Sequence, residues 1–571
     1  MNALTAAREK ITVLGGDTAL AATLARELDI PFEAASILAG RNFTDANACR
    51  KFFGPSLADL HDPFLFPDMK KAVARITTAL SNREKIAVHG DYDVDGVSGT
   101  ALLMRVLRSM GAECDYYLPH RLTDGYGLSV NGVQQIAAGG AKLLITVDCG
   151  ITAIDAIAEA QERGIDVIIT DHHEPKVDLP TAFALINPKM LGSPYPDRDL
   201  AGVGVVFKLC QALGTECGLG AALWEPYLDL AALGTAADIV PLLGENRIIT
   251  RFGFEQMRTT SNKGLAALME LQNLTGKPLS TSQVVFQLAP CINAAGRLGD
   301  PRRGVEMLLT EDSGTAKEYA RELRNTNYER RTIDANVWDE ALKWVEKNCD
   351  IENDFVIVIG SMNWHAGVIG IVASKLVDRY HRPAILFSMG SDGTARGSGR
   401  SIPGLHLLDA LSDCKDLLET FGGHAAAAGM NIKSSCIDAF RARFNEVVRG
   451  RLTPEDLIPV VTADAEISLS SITPRLFSCI KSMEPFGPGN MRPVLYCRNL
   501  RNRFTPRIVG EKHLKLTMTG DGRAMDAIAF NFGDRIAEIK AADAVSLAFS
   551  IEENEWNGKK SLQLNVKGFA V

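Results

Sequence analysis

The sequence predicts an α/β protein: a parallel-sheet α/β segment and a second α/β segment joined by a long helix, followed by a small β-barrel. Three observations lead there. Short apolar runs alternate with amphipathic stretches from Lys85 and again from residue 355. Between them lies a highly charged stretch without proline. After residue 455 the pattern changes to short alternating runs punctuated by Gly, Asn and Asp.

The first pattern opens at KIAVHG (85–90) and continues through the helical GVSGTALLMRVLRSMG. LLITV (143–147), the helical ITAIDAIAEAQERG and VIIT (167–170) follow. Short buried strands separated by amphipathic helices belong to a mostly parallel sheet covered on both faces. From 314 to 348, Tyr319, Leu323, Ile333, Val337, Ala341 and Trp344 recur at spacings of three, four and their sums, which predicts one long connecting helix. FVIVIG (355–360), VIGIVASKLVDRY and PAILF (383–387) repeat the α/β pattern. PVLYCRNL, HLKLTMTGDG, MDAIAFNF, AVSLAFSIEEN and KSLQLNVKGF then read as strands of a barrel. The expected segments are therefore 1–70, short helices ending in the turn-rich HDPFLFPDM; 71–313, the first α/β domain; 314–349, the helix; 350–454, the second α/β domain; and 455–571, the barrel.

Composition narrows the function class. A chain of 571 residues, 46% hydrophobic and 23% charged, has the material for several cores. With 61 Lys+Arg against 69 Asp+Glu the net charge is -8, so contact with nucleic acid must rest on local basic patches. Eleven cysteines without a C-x-x-C pair read as reduced thiols rather than disulfides or structural zinc. The opening MNALTAAREKITVLGG lacks a signal-peptide apolar core, and no apolar run approaches ~20 residues, so a cytoplasmic protein off the membrane is expected.

Chemistry concentrates at three strand ends. HGDYDVDG places Asp91, Asp93 and Asp95 just past the first strand; Asp148 follows the second; Asp171, His172 and His173 follow the third. Ligand sites of parallel sheets lie outside the carboxyl ends of the strands, so these groups are expected to converge. Carboxylates so concentrated repel unless a cation neutralises them. A carboxylate and imidazole set suits Mn²⁺, with Mg²⁺ as the alternative, and its size suits two ions acting on a phosphoryl group. Blander readings exist for each part. D-x-D-x-D-G also begins a calcium loop, but its twelfth residue is Leu102 where that loop needs Glu. Asp148 alone is a candidate helix N-cap, and a His-His pair alone is a common structural feature. Three such elements at corresponding strand ends point to metal.

These motifs resemble the DHH phosphoesterase superfamily, whose triplet is Asp171-His172-His173 here, and within it the bacterial exonucleases specific for single-stranded DNA. HGDYDVDG, PHRLTDGYGLS, TVDCGI, TDHHEP, LINPK, LAGVGVVFKL, LAALGTAADIVPL, INAAGRLGD, WHAGVIGIVASKL, GSGRSIPGLHL, FGGHAAAAG and GEKHLKL carry the resemblance along nearly the whole chain. It implies a DHH-type domain, a DHH-associated domain and an oligonucleotide-binding barrel. It implies metal ligands Asp93 and Asp95 with Asp91 or His89 beside them, a bridging Asp148, then His172, His173 and Asp238, with Asp229 as the alternative to Asp238. Asp93, Asp148 and His172 would carry the catalysis. Gly422, Gly423, His424, Ser398 and Arg400 of a Ser-Arg turn, together with Arg121 and Arg297, would contact phosphate or DNA. Cys291 departs from the pattern, which places Arg before INAAGR. RNRFTPR (501–507) and EKHLK (511–515) mix basic and aromatic groups as a strand-tracking groove needs; Phe504 is either a stacking platform there or a core side chain.

The function so implied is 5′-to-3′ exonucleolytic hydrolysis of single-stranded DNA to mononucleotides with two Mn²⁺ or Mg²⁺ ions, in repair and recombination. A single-strand-binding protein and a helicase are candidate partners. A hydrolase of short oligonucleotides, cyclic dinucleotides or pyrophosphate is the competing enzyme reading, and it leaves the barrel without a task. A non-catalytic replication component is the third, and it would lack ligands that this chain retains.

Overall fold

The computed structural model describes residues 9–119, 127–556 and 558–571. The chain forms two compact units. One comprises Lys51–Arg330 with Met483–Met491; the other comprises the segment ending at Arg50, Arg331–Ser482 and Arg492–Val571. The N-terminal segment, expected to be short helices ending in a turn-rich stretch, also contains a strand, β1 (Lys10–Val13). Its four residues are too few for an alternating pattern to stand out, and its partner lies more than 400 residues downstream, as described below.

In the Lys51–Arg330 unit, β2 (Ile86–Gly90), β3 (Cys114–Tyr117), β4 (Leu143–Val147), β5 (Asp166–Thr170) and β6 (Ala184–Ile186) form an all-parallel sheet in the order β3-β2-β4-β5-β6. Every residue of β2 and β4 is buried, which is why these strands read as unbroken apolar runs. The chain steps from β2 to β3 on one side and then returns to β4 on the other. The crevice between β2 and β4 is therefore the topological switch point, where loops diverge and leave room for a ligand. Helices Val94–Ser109, Gly202–Glu216 and Leu228–Ala237 pack together and are buried along nearly their full length.

In the other unit, β7 (Ile357–Ser361), β8 (Ala384–Met389), β9 (Thr394–Arg400), β10 (Thr420–Gly423) and β11 (Ala427–Lys433) form a sheet in the order β10-β11-β9-β8-β7. Only β7 and β8 pair in parallel; the other pairings are antiparallel. β12 (Val460–Ala463) pairs in parallel with β1. β13 (Ala465–Glu466), β14 (Leu495–Asn502), β15 (Arg507–Val509), β16 (His513–Gly520), β17 (Arg523–Ala529), β18 (Val545–Trp556) and β19 (Lys559–Ala570) make a seven-stranded sheet, and the extra β14–β16 pairing closes it into a barrel. Closure satisfies backbone groups that an open edge would leave unpaired. The N-terminal arm is fastened here as well: Glu9 accepts two 2.8 Å hydrogen bonds from the buried Arg535 guanidinium and one of 3.0 Å from the Phe569 amide. The helix Ser313–Asn348 runs for 36 residues and contains the boundary between Arg330 and Arg331.

Candidate metal centre

The sheet delivers the acidic groups directly. The Asp148 amide still donates to Thr170 O (3.0 Å) and the Asp171 amide to Ile186 O (3.1 Å), so both side chains leave from the last rungs of the ladder. Asp148 has φ 60, a left-handed conformation that costs an ordinary residue about 1 kcal/mol or more. It is not a helix cap: the next helix begins at Ile154 with Ala153 in the cap position. Asp93 does cap a helix, its Oδ1 accepting from the amides of Asp95 (2.9 Å) and Gly96 (3.2 Å). The Asp95 carboxylate accepts from the amides of Gly202 (2.7 Å) and Val203 (2.8 Å), at the N-terminus of the Gly202–Glu216 helix. Gly202 is required there, because a Cβ would stand 2.5 Å from Asp148 Oδ1.

His172 Nε2 is the meeting point. It lies 3.2 Å from Asp148 Oδ1, 3.5 Å from Asp238 Oδ2 and 4.0 Å from Asp95 Oδ2. Adjacent ligands of an octahedral ion with bonds of ~2.1 Å are about 3 Å apart, so this spacing is close to a coordination shell. Among the described residues, three groups of donor atoms are compact enough to hold an ion: Asp148, His172 and His173; Asp95, His172 and Asp238; and Asp91, Asp93 and Asp148. Asp148 belongs to two of them. Among the described residues, Asp148 Oδ1, His172 Nε2 and Asp238 Oδ2 are buried without a hydrogen-bond partner, and an orphaned buried carboxylate is costly unless a cation meets it. The donor set therefore fits divalent ions of the Mn²⁺ or Mg²⁺ kind.

Electrostatics agrees. Burial, reinforced by Asp95, Asp93, Asp238 and Asp91, pushes the Asp148 carboxyl well above its ordinary range. Burial and then Asp95 and Asp93 do the same to Asp238, and burial with Asp93 raises Asp95 to about 7. Burial also raises Asp93, against its backbone hydrogen bonds and the charges of His173 and Arg297. His172 falls to about 3, through burial and the neighbouring His173, and so stands neutral as a ligand must. Burial would raise Asp171, yet the His173 ring and three backbone amides hold it below the usual carboxylate range. Its 2.7 Å contact with His173 Nδ1 is how a carboxylate fixes the orientation of a metal-binding imidazole.

Of the alternatives left open above, Asp91 joins a candidate group and His89 does not; His89 Nδ1 faces the Cys149 thiol at 3.6 Å. Asp229 is absent from these groups, its carboxylate accepting from Thr260 Oγ1 and the Leu230 amide. Arg297 ends the Ala289–Leu298 helix, within electrostatic reach of Asp93. Arg121 lies outside the described residues. Cys291 is buried, with Gln272 Nε2 at 3.3 Å and Asn327 Nδ2 at 3.6 Å from its sulfur, so this position sits in the interior.

Supporting residues escaped the sequence reading although their motifs were visible. Asn187 of LINPK donates to His173 O (2.9 Å), and Asn293 of INAAGR accepts from the Val94 amide (3.1 Å). The Lys189 charge acts on both His172 and Asp238. Neutral amides such as Asn187 and Asn293 raise no charge pattern, so only a three-dimensional neighbour reveals their use.

Ser398, Arg400, Gly422, Gly423 and His424 belong to the other unit. The expected Ser-Arg turn is not a turn: Ser398 and Arg400 lie on β9, two residues apart on one face. Arg400 Nη1 donates to Ser398 Oγ (3.1 Å) and Gly399 O (2.7 Å). The flanking Gly397 and intervening Gly399 face buried side chains instead of a ligand. A Cβ on Gly397 would come within 2.4 Å of the Phe387 ring, so Gly397→Ala is expected to lower the melting temperature, read by scanning calorimetry. Gly422 and Gly423 lie on the edge strand β10, exposed, with His424 directly after. In the barrel Phe504 is 63% exposed with the Arg503 guanidinium 5.5 Å from its ring centre, which removes the core reading. Phe530, 48% exposed and edge-on to His513, is a second outward aromatic.

The chain matches the DHH family N-terminal domain over residues 85–235, the DHHA1 domain over 353–450 and the RecJ OB domain over 463–568. The single-stranded-DNA-specific exonuclease RecJ of Bacillus subtilis is 40% identical over 551 residues, covering 96% of this chain and 69% of that protein. RecJ of Escherichia coli is 38% identical, covering 87% and 89% respectively. The crystal structure of RecJ from Thermus thermophilus in complex with Mn²⁺ superposes with a TM-score of 0.85 at 30% identity, over 99% of this chain and 79% of that one. The chain thus belongs to the RecJ family of single-stranded-DNA-specific exonucleases.

Proposed function

We propose that this chain is a metal-dependent exonuclease that hydrolyses single-stranded DNA from the 5′ end to mononucleotides. The carrying observation is the set of buried donor atoms on Asp148, His172 and Asp238, without a hydrogen-bond partner among the described residues, at the switch point of the sheet. Asp91, Asp93, Asp95, Asp148, His172, His173 and Asp238 would hold two ions, Mn²⁺ or Mg²⁺, with Asp148 shared. Such ions supply Lewis-acid activation of water and of the phosphodiester. Asp171 and Asn187 orient the imidazole groups, and Arg297 adds positive charge beside Asp93. Ser398, Arg400, Gly422, Gly423 and His424 would receive phosphate, and the outward aromatics and arginines of the barrel would track the strand. The segments 71–313, 350–454 and 455–571 divide these tasks. The 5′-to-3′ polarity and a place in repair and recombination are what the family resemblance implies, with a single-strand-binding protein and a helicase as partners. The eleven free cysteines accord with a reducing cytoplasm.

The test offers 5′-labelled and 3′-labelled single strands, duplex, a dinucleotide and pyrophosphate in parallel with Mn²⁺. Release of labelled mononucleotide first from 5′-labelled single strands is expected; preferred turnover of the dinucleotide or pyrophosphate would favour a small-substrate hydrolase. Arg400→Ala should cost ~1.5–3 kcal/mol, roughly tenfold to a hundredfold, on a 5′-phosphorylated end. The loss on a 5′-hydroxyl end should be smaller. Equal losses on both ends, with a lower melting temperature, would make Arg400 a brace of its sheet.

A further inference from the structure

Asn246, in the Gly244–Met257 helix, is completely buried and bears no charge, yet its side chain joins two backbone segments of the metal centre. Its Nδ2 donates to Asp199 O at 2.6 Å and to Pro241 O at 3.1 Å, and its Oδ1 accepts from the Ala201 amide at 3.4 Å. The Asp199–Ala201 segment leads straight into Gly202 and Val203, whose amides hold the Asp95 carboxylate. Pro241 follows Asp238 by three residues, across the left-handed Ile239 (φ 64). His172 Nε2 faces both carboxylates, at 4.0 Å from Asp95 and 3.5 Å from Asp238.

We propose that Asn246 is a positioning residue that sets the separation of Asp95 from Asp238 and thereby the affinity of the centre for divalent ions. A planar amide is suited to this task. Both of its N–H groups point at carbonyls of the two segments, and its oxygen takes the one amide between them. Aspartate has the same shape and keeps the Ala201 bond, but turns an acceptor toward two carbonyls. Alanine leaves all three backbone groups without their partner. Small hard ions demand near-ideal geometry, so loosening either segment is felt as lost affinity.

The inference rests on the ligand assignment proposed above, and the experiment separates the two. Full-length protein is stripped with chelator, and Mn²⁺ binding is followed by electron paramagnetic resonance of the free ion. Asn246→Ala and Asn246→Asp are each expected to bind Mn²⁺ ten- to a hundredfold more weakly. The loss in Asn246→Asp would be the more telling, since an added negative charge by itself attracts the cation. Thr250→Val, which removes the 2.6 Å bond from Thr250 Oγ1 to Asn246 O in the same helix, should lower the melting temperature and leave Mn²⁺ affinity unchanged. Asp238→Ala serves as the reference: unaltered Mn²⁺ binding there would overturn the ligand assignment. Weakened binding in Asp238→Ala, beside wild-type binding in the Asn246 variants, would overturn this inference alone. Should Asn246→Ala fail to fold, the shape-preserving Asn246→Asp decides the question.

Discussion

Asp148→Asn and Asp148→Ala are both expected to bring hydrolysis of single-stranded DNA to background, at least ~10³-fold below the parent, as befits several kcal/mol of transition-state stabilisation. The two should differ in stability. Asn tolerates the left-handed φ of 60 at this position, whereas Ala is held there at a cost of about 1–2 kcal/mol. Removing the anion also relieves repulsion from Asp95, Asp93, Asp238 and Asp91. Chelator-treated Asp148→Asn should therefore melt above the chelated parent, with Asp148→Ala below Asp148→Asn. Appreciable turnover by Asp148→Asn would remove Asp148 from the shared-ligand role.

Removing the metal should make the protein sensitive to alkali. Asp95 has an ordinary value of 3.8 and about 7 in the fold, and Asp148 and Asp238 are likewise raised. A carboxyl raised by folding binds its proton more tightly in the native state. Its contribution is fully present below pH 3.8 and is lost as pH climbs through the folded value, here about 7 for Asp95. The chelated protein should thus lose melting temperature as pH rises from 4 to 8, more steeply above 6.5, because below it His172, lowered to about 3, contributes in the opposite sense. Mn²⁺ at a hundred times its Kd adds about 2.7 kcal/mol. Because ions displace those protons, the rescue should grow with pH. Parallel pH curves with and without Mn²⁺ would show that these carboxylates do not meet the ion.

Much of this was legible before the structure. LLITV (143–147) is β4 to the residue, and the acids at the ends of β2, β4 and β5 converge because a parallel sheet gathers its carboxyl ends. What escaped is of another kind. Ser398 and Arg400 resemble a turn because glycines flank them, but those glycines answer to the bulk of Phe387 and Met430 on the neighbouring strands and of Leu407 on the Leu407–Ser412 helix. Asp95 looked like a plain ligand, whereas it is also held by a helix N-terminus 107 residues away in sequence. Asn246 carries no charge and sits in no acidic motif, so only the positions of Asp199 and Pro241 disclose its use. Charge and periodicity are local signals; a partner that only the fold brings close leaves none.

The pairing of β1 with β12 ties Lys10 to Val460 and Val13 to Ala463. During synthesis the N-terminal strand therefore emerges long before its partner exists. At ~5–20 residues per second the delay is roughly 20–90 s, during which the amides of β1 must be satisfied by water or by a temporary neighbour. Deleting everything after residue 455 to isolate the barrel's contribution would also remove β12, the partner of β1, and Arg535, the partner of Glu9. A truncation meant to probe DNA binding would then report a frayed N-terminus as well, so barrel substitutions such as Phe504→Ala, made in the full-length chain, are the cleaner instrument.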